Sequence, residues 1–255
     1  MLNAKISGIA SYLPDYVLTN DELSRMVDTN DEWITTRVGI KERRILKKEV
    51  GSSYMGIQAV KKLLEETGTN PDDVDLLICA TSNPDYRFPS TASVIAHGCG
   101  LEKKCYAYDI QAACAGFIVA SFDANAYIKS GLYKKVIVVC AEKMSSMVNY
   151  EDRATCPLFG DGAAAVLMEP TEEPVGFVDG VFHVDGSGLE HLVYKAGGSA
   201  HPTTHETVDA KENCLYQEGR AVYKSAVMDM FNSSKEVMER NNLKIEDVKW
   251  FVPHQ

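Results

Sequence analysis

The chain has 255 residues, of which 45% are apolar and 24% are charged, and this composition excludes an intrinsically disordered protein. Its formal net charge of −10 excludes non-specific attraction to nucleic acid or to an anionic membrane surface. No apolar run approaches the roughly 18 residues of a membrane span, and the apolar stretch at residues 1–14 is broken by Ser and Pro, unlike a signal peptide. Seven cysteines without a CxxC pair predict reduced thiols in a cytoplasmic protein.

Apolar patterns along the chain predict alternating helices and strands. Residues 55–67 repeat apolar side chains at helical spacing and are followed by Gly68, a typical helix end. Residues 74–80 and 135–141 are continuous apolar runs of strand length, as expected for strands covered on both faces. Residues 116–130 are rich in small and apolar side chains and predict a buried helix. This alternation indicates an α/β fold.

A weak internal repeat predicts two related halves. Residues 61–80 and 235–254 share one pattern: an amphipathic helix, a turn with Asn, an acidic residue followed by Asp and Val, and an apolar strand. Residue 61 corresponds to residue 235 and residue 80 to residue 254, an offset of 174 positions. We therefore expect an N-terminal half at 1–171 and the start of a second half at 172–255.

Cys114 is a candidate nucleophile. It lies in DIQAACAGF (109–117), where a predicted strand gives way to small residues and then to the helix at 116–130. Helix N-termini favour thiolates because unpaired N–H groups and the macrodipole point there, so this position predicts a lowered pKa for the Cys114 thiol. Small neighbours leave room for a thioester carbonyl. The alternative is that Cys114 packs as a small apolar residue, and its position leaves both interpretations open.

His254 is the candidate proton partner, in FVPHQ (251–255) at the end of an apolar run. A histidine at a strand end can donate a hydrogen bond to a carbonyl or exchange protons near neutrality, although a structural role is equally compatible with this pentapeptide. His201, His205 and Glu206 have metal-like spacing only in a helix, and Pro202 argues against one, so we expect no metal there.

Six segments in order resemble β-ketoacyl-acyl carrier protein synthase III, a condensing enzyme of type II fatty-acid synthesis. They are VDTNDEWITTRVGIKERR (27–44), RFPSTA (87–92), AACAGF (112–117), DRATCPLFGDGAAAVLMEP (152–170), Gly219 with the RAVYKSAV that follows it (219–227), and VPHQ (252–255). The resemblance covers the whole chain. It implies a thiolase-like fold of two pseudo-repeated α/β halves in α-β-α-β-α layers, with the second half incomplete.

The resemblance also implies the chemistry. Cys114 would take an acyl group from acyl-coenzyme A, and the acyl-enzyme would condense with malonyl-acyl carrier protein with loss of CO₂. His254 and a family Asn would stabilise the enolate. This scheme requires neither a metal nor a permanently bound cofactor.

The resemblance further assigns ligand-binding residues. Thr29, Trp33, Arg37 and Arg153 match the residues that hold the nucleotide of coenzyme A, with Trp33 and Arg153 on the adenine. A packing role for Trp33 and a plain surface charge for Arg153 are the alternatives.

Two aromatic residues match the acyl pocket of the family. Phe88 matches one that enters the partner subunit's pocket, which implies a homodimer, and Phe159 matches a lining residue. The GDG at 160–162 predicts a hairpin turn into a strand, and the chain contains no GxGxxG dinucleotide motif.

The family continues beyond VPHQ with a Gly-Asn-Thr-Ser segment that carries its catalytic Asn. We therefore expect the 255 residues to be part of a longer enzyme and their condensing activity to be reduced. Two alternatives stay open: a polyketide, alkylquinolone or hydroxymethylglutaryl type of Cys-His-Asn condensing enzyme, and a non-catalytic thiolase-fold subunit. A degradative thiolase fits less well, because such enzymes use a second, C-terminal Cys as the base.

Overall fold

The structure, a computed structural model, describes residues 3–254. Its strands are β1 (Asn3–Tyr12), β2 (Val17–Thr19), β3 (Glu42–Arg44), β4 (Leu76–Ala80), β5 (Tyr106–Ile110), β6 (Val136–Lys143), β7 (Asp161–Thr171), β8 (Leu192–Tyr194) and β9 (Leu215–Gln217). Its helices are α1 (Asn20–Leu23), α2 (Asp31–Val38), α3 (Ser52–Thr67), α4 (Thr91–Gly98), α5 (Gly116–Lys129), α6 (His205–Asp209) and α7 (Gly219–Arg240).

The chain forms two compact units. Of the described residues, the first unit comprises 3–19, 41–146 and 160–178, and the second comprises 20–40, 147–159 and 179–254. The predicted halves at 1–171 and 172–255 remain a prediction. Within residues 3–254, no helix combines the length and apolar character needed to cross a membrane.

A mixed sheet with strand order β1-β7-β6-β4-β5 organises the first unit. Strand β4 lies between β5 and β6 and runs parallel to both, with Ala80 aligned with Ile110 on one side and with Cys140 on the other. β7 is antiparallel to β6 and to β1. The carboxyl ends of the three parallel strands therefore lie side by side at one edge of the sheet.

Both faces of this sheet are covered, which explains why its central strands are continuously apolar. Leu77 and Cys79 pack on one face in a cluster with side chains of α3 and α4. Leu76 and Ile78 pack on the other face against the small and apolar side chains of α5. All five residues of β4 are buried, as the sequence predicts.

The helices and strands predicted for this unit are observed, with shifts at their ends. The helix predicted at 55–67 begins one turn earlier, as α3, and ends at Gly68, whose φ of 64° places it in the left-handed region. The strand predicted from residue 74 begins at Leu76, because residues 71–73 form a 3₁₀ turn.

The expected hairpin turn at GDG (160–162) is wrong, although the strand expected to follow it is present as β7. Asp161 is already the first residue of β7 and is paired in register with Lys143, so the connection from β6 spans all of residues 144–160. The Asp161 carboxylate is buried and accepts hydrogen bonds from the Leu46 N–H at 2.7 Å, the Ser145 N–H at 2.8 Å and the Ser145 hydroxyl at 2.6 Å. The Asp161 carboxylate of this motif thus holds the start of β7 to the segments that carry Leu46 and Ser145.

The second unit contains α7 and the antiparallel β8–β9 pair. α7 and the 3₁₀ turn at 245–247 repeat the order of α3 and the turn at 71–73 with the same offset of 174 residues. The strand expected after the second turn is absent, since residues 248–254 are irregular. β4 is paired on both sides, whereas these residues pair with no strand among the described residues, and Trp250 is 78% exposed.

Candidate active site at Cys114

Cys114 lies beyond the carboxyl end of β5, at the edge where the three parallel strands end. After β5 the chain passes through a 3₁₀ turn, Ala113–Ala115, directly into α5 at Gly116. Ala113 has a φ of 44°, in the left-handed region that non-glycine residues rarely occupy. Strained residues are common at functional sites. Here the left-handed backbone of Ala113 turns the chain sharply between β5 and α5, and Cys114 lies in that turn.

Gly116 lets α5 approach the sheet directly behind Cys114. A Cβ atom at this position would lie 2.9 Å from the Cβ atom of Ala80 in β4, closer than carbon atoms pack. Gly116 has ordinary helical dihedrals, so close approach and not backbone freedom explains the glycine. The position of the thiol therefore depends on a glycine two residues away.

Cys114 is the exposed member of the seven cysteines, all of which lie in the described part of the chain; the others are buried or half-buried. Although the residue is exposed, nearby protein atoms desolvate its thiol and raise its pKa, and the Glu142 charge adds to the increase; a hydrogen bond from the Cys114 backbone acts in the opposite direction. The expectation of a lowered pKa is therefore wrong. A thiol with a raised pKa needs a proton acceptor before it can react as a nucleophile at neutral pH.

Glu142 is a half-buried carboxyl group at the end of β6, and the sequence analysis did not identify it. Its Oε1 atom accepts a hydrogen bond from the Ser82 N–H at 2.6 Å, while its Oε2 atom is buried and has no hydrogen-bond partner within residues 3–254. Burial raises the pKa of Glu142, and hydrogen bonds from Ser82, Asn83 and Thr81 only partly oppose that shift. The only sequence signal for this residue is a carboxyl side chain directly after a continuous apolar run.

Two carboxylates hold the loop at 81–90, which carries Phe88. Asp85 accepts hydrogen bonds from the Ser52 hydroxyl and from the Ser53 N–H at the start of α3, both at 3.0 Å. Asp109 of β5 accepts from the first two N–H groups of α4, those of Thr91 at 2.7 Å and Ala92 at 2.6 Å. Between these anchors Phe88 is 87% exposed.

The nucleotide-side residues of the resemblance lie in the second unit. Trp33 is in the first turn of α2, where its backbone N–H donates to the Asn30 side-chain oxygen at 2.8 Å. Its ring contacts both predicted cations: the guanidinium carbon of Arg153 lies 4.6 Å from the ring centroid and that of Arg37 lies 5.0 Å from it. Asp28 pairs with Arg153 at 3.4 Å. The structure thus brings Trp33, Arg37 and Arg153 together.

Thr29 adds an unsatisfied group in the same unit. Its hydroxyl oxygen is buried and has no hydrogen-bond partner among the described residues. Buried hydroxyl groups are normally paired, so this atom is a candidate ligand contact.

The remaining predicted residues also belong to the second unit. Phe159 is half-buried and His254 is exposed in the irregular segment at 248–254. His201 pairs with Glu212 at 2.7 Å, and His205 begins the short helix α6 and does not lie in a loop.

Comparison with known proteins identifies the family. A family model described as 3-oxoacyl-[acyl-carrier-protein (ACP)] synthase III matches residues 108–186, which include Cys114 and Arg153. Beta-ketoacyl-[acyl-carrier-protein] synthase III 2 of Bacteroides thetaiotaomicron is 56% identical over 255 residues, covering 100% of this chain and 76% of the relative. The chain belongs to the β-ketoacyl-acyl carrier protein synthase III family. The Porphyromonas gingivalis W83 synthase III agrees, at 55% identity over 257 residues and with the same two coverages.

Solved structures confirm the predicted fold. The synthase III of Aquifex aeolicus matches with a TM-score of 0.85 at 43% identity, covering 96% of this chain and 74% of the other. The Thermus thermophilus enzyme matches with a TM-score of 0.87 at 36% identity, covering 98% and 76%. This synthase III is therefore a thiolase-like α/β protein and a condensing acyltransferase that initiates fatty-acid synthesis. The polyketide-type and non-catalytic alternatives are not favoured.

Proposed function

We propose that Cys114 is the residue that carries the acyl group in this synthase III. Its thiol attacks the carbonyl carbon of acyl-coenzyme A, the carbon–sulfur bond to the coenzyme breaks, and coenzyme A leaves as a thiol with the proton. The observation that carries this proposal is the exposed thiol on the strained turn between β5 and α5, at the edge where parallel strands end.

We propose that His254 acts in the second half-reaction. In this step malonyl-acyl carrier protein loses CO₂, and the electron pair of the broken carbon–carbon bond attacks the acyl carbonyl and releases the Cys114 sulfur. His254 donates a hydrogen bond to the malonyl thioester oxygen, which bears the developing negative charge. An imidazole can also accept the proton that the Cys114 thiol loses during acylation.

We propose that Thr29, Trp33, Arg37 and Arg153 bind the nucleotide of coenzyme A. An adenine ring between Trp33 and Arg153 needs about 3.5 Å on each face, more than their 4.6 Å separation allows. Arg153 must therefore move outward when the nucleotide binds, and the guanidinium and indole planes then contact opposite faces of the base. The unpaired Thr29 hydroxyl supplies a hydrogen bond.

We propose that the enzyme is a homodimer in which Phe88 enters the partner's acyl pocket and Phe159 lines the pocket of its own subunit. An aromatic ring that is 87% exposed on a loop fixed at both ends supports such a contact. We also propose the two pseudo-repeated halves 1–171 and 172–255, a cytoplasmic location, which the seven unbridged thiols support, and catalysis without a permanently bound cofactor.

The mass of the intact protein after incubation with acetyl-coenzyme A tests the acyl-carrier proposal. We expect one added acetyl group in the 255-residue polypeptide, its loss in Cys114→Ala, and its retention in the control Cys105→Ala, which removes a half-buried thiol directly before β5. An adduct that persists in Cys114→Ala, or its absence in folded unmodified protein, would refute the role of Cys114.

A further inference from the structure

The loop at 81–90 is attached to the start of α3 through the side chain of Asp85. Its Oδ1 atom accepts hydrogen bonds from the Ser52 hydroxyl and from the Ser53 backbone N–H, both at 3.0 Å, and its Oδ2 atom accepts from the Ser53 hydroxyl. The Ser52 hydroxyl shares its hydrogen with the backbone oxygen of Asn83, 2.9 Å away. One turn of helix thus holds both the carboxylate and the backbone of the loop.

Asp85 supplies the cap that α3 lacks in its own sequence. The residue before this helix is Gly51, which has no side chain to accept a hydrogen bond from the first N–H groups. The carboxylate that takes this role comes from 32 residues later in the chain than Ser53, and its negative charge is favourable at a helix N-terminus. Since α3 packs in the core of the first unit, the loop is fixed to that core.

Gly51 leaves the space that the Asp85 carboxylate occupies. A Cβ atom at this position would overlap the carboxyl carbon and both carboxyl oxygens of Asp85. The φ of Gly51 is −84°, a backbone conformation open to other residues, so close approach of the carboxylate explains the glycine. The contact therefore depends on one residue from each side.

The tip of the loop is short and presents two aromatic side chains. It spans residues 86–89 and ends at Ser90, whose hydroxyl accepts a hydrogen bond from the Ser93 N–H at 3.2 Å at the start of α4. Tyr86 is 60% exposed and Phe88 is 87% exposed. Because only four residues separate Asp85 from Ser90, a displacement of the Asp85 carboxylate must displace the Phe88 ring.

We infer that Asp85 is a positioning residue that sets the acyl-chain selectivity of the enzyme by fixing the position of Phe88. This inference rests on the proposed entry of Phe88 into the partner's acyl pocket. On that proposal the ring occupies space that a longer acyl chain would fill. A ring held in place excludes the longer chain, and a ring released from its anchor admits it.

Competition between acetyl-coenzyme A and butyryl-coenzyme A tests the inference. Both donors are supplied together below saturation, and the early ratio of butyryl to acetyl adducts on the 255-residue polypeptide is read from one mass spectrum. This ratio does not depend on the fraction of active protein, so a purely structural loss leaves it unchanged. In Asp85→Ala we expect the ratio to rise by ~4–16-fold, about fourfold for each of the two additional buried methylene groups. Asp85→Asn keeps an acceptor oxygen for the Ser53 N–H and should retain a ratio near that of the unmodified protein.

Two further variants test the contact from its other side and the route through Phe88. Gly51→Ala displaces the same carboxylate without removing it and should also raise the ratio. Phe88→Ala should raise the ratio, and adding Asp85→Ala to it should have no further effect, because Asp85 acts through that ring. The controls are Asp15→Ala at an exposed position and Gly198→Ala in open space, and both should leave the ratio unchanged.

The outcomes separate this inference from the proposed role of Phe88. A ratio that changes in Phe88→Ala but not in Asp85→Ala would overturn the inference and leave that role intact. A further change on adding Asp85→Ala to Phe88→Ala would also overturn it. An unchanged ratio in Phe88→Ala would refute the role of Phe88 and the inference with it. Failure of both Asp85→Ala and Gly51→Ala to fold would assign the contact to the fold alone and overturn the inference.

Discussion

Replacing Gly116 with Ala should lower the activity of this synthase III much more than its stability. The added Cβ would lie 2.9 Å from the Cβ atom of Ala80, about 0.6–1 Å closer than carbon atoms pack. The start of α5 must move away from β4 by a similar distance, and Cys114, two residues earlier, must move with it. Overpacking of this kind costs about 1–3 kcal/mol, whereas Ala is about 0.5–1 kcal/mol better than Gly inside a helix.

These opposing effects predict a net loss of about 0–2 kcal/mol in the free energy of unfolding, so the variant should fold. Displacement of a nucleophile by about 1 Å can cost up to ~10²-fold in rate, so we expect acetyl transfer to fall by ~10–100-fold. Urea unfolding measures the first quantity, and quenched mass spectrometry of the acetyl adduct measures the second. Gly198→Ala is the control, because no atom lies within 4 Å of the added Cβ and both quantities should be unchanged. An acetylation rate in Gly116→Ala equal to that of the unmodified protein would refute the close-packing argument.

Three further predictions concern coenzyme recognition, the buried Asp161 carboxylate and acid stability. Trp33→Ala should slow acyl transfer from acetyl-coenzyme A by ~2–30-fold, the equivalent of about 0.5–2 kcal/mol of cation–π stacking. Transfer from acetyl-pantetheine should be unchanged, and equal losses with both donors would contradict nucleotide stacking. Asp161→Ala should lower the free energy of unfolding by about 3 kcal/mol because it removes a buried acceptor of three hydrogen bonds. Asp15→Asn, at an exposed position, is the control and should leave the free energy of unfolding unchanged in the same denaturation experiment. Burial acts to raise the pKa of Asp75, but hydrogen bonds from Lys104 and from two backbone N–H groups outweigh it and lower the pKa overall. The contribution of Asp75 to stability is therefore present above the unfolded-state pKa and is lost as the pH falls through the folded-state pKa. Melting temperatures between about pH 7 and pH 2 should fall less steeply in Asp75→Asn; parallel curves would contradict this account.

The sequence predicted the first unit well because its pattern has a direct physical cause. A strand buried on both faces must be apolar at every position, so β4 and β6 stand out as short continuous runs, and Gly68 marks the end of α3 through its left-handed backbone. The strand expected at the end of the chain shows the limit of this reasoning. Its pattern resembles that of β4, but strand formation depends on partners that a local pattern does not reveal.

The local structure around Cys114 was predicted from the sequence, but the electrostatics of its thiol were not. The position of Cys114 before a helix was correct, whereas the direction of its pKa shift was wrong. The helix terminus is a local feature that the sequence displays, but desolvation and the Glu142 charge come from elements distant in sequence. Asp161 was misread for a similar reason, because nothing near a GDG motif indicates hydrogen bonds to Leu46 and Ser145.

Asp109 connects two parts of the enzyme, the loop that carries Phe88 and the turn that carries Cys114. Its carboxylate holds the start of α4, and hence the loop that carries Phe88, while its own strand leads into the turn of the nucleophile five residues later. Under the proposed role of Phe88 in the acyl pocket, a substitution that reshapes this loop for a longer or branched acyl chain also displaces the strand that leads to Cys114. A change in acyl-chain preference should therefore lower the turnover rate, and substitutions that restore the rate should lie around the Asp109 carboxylate.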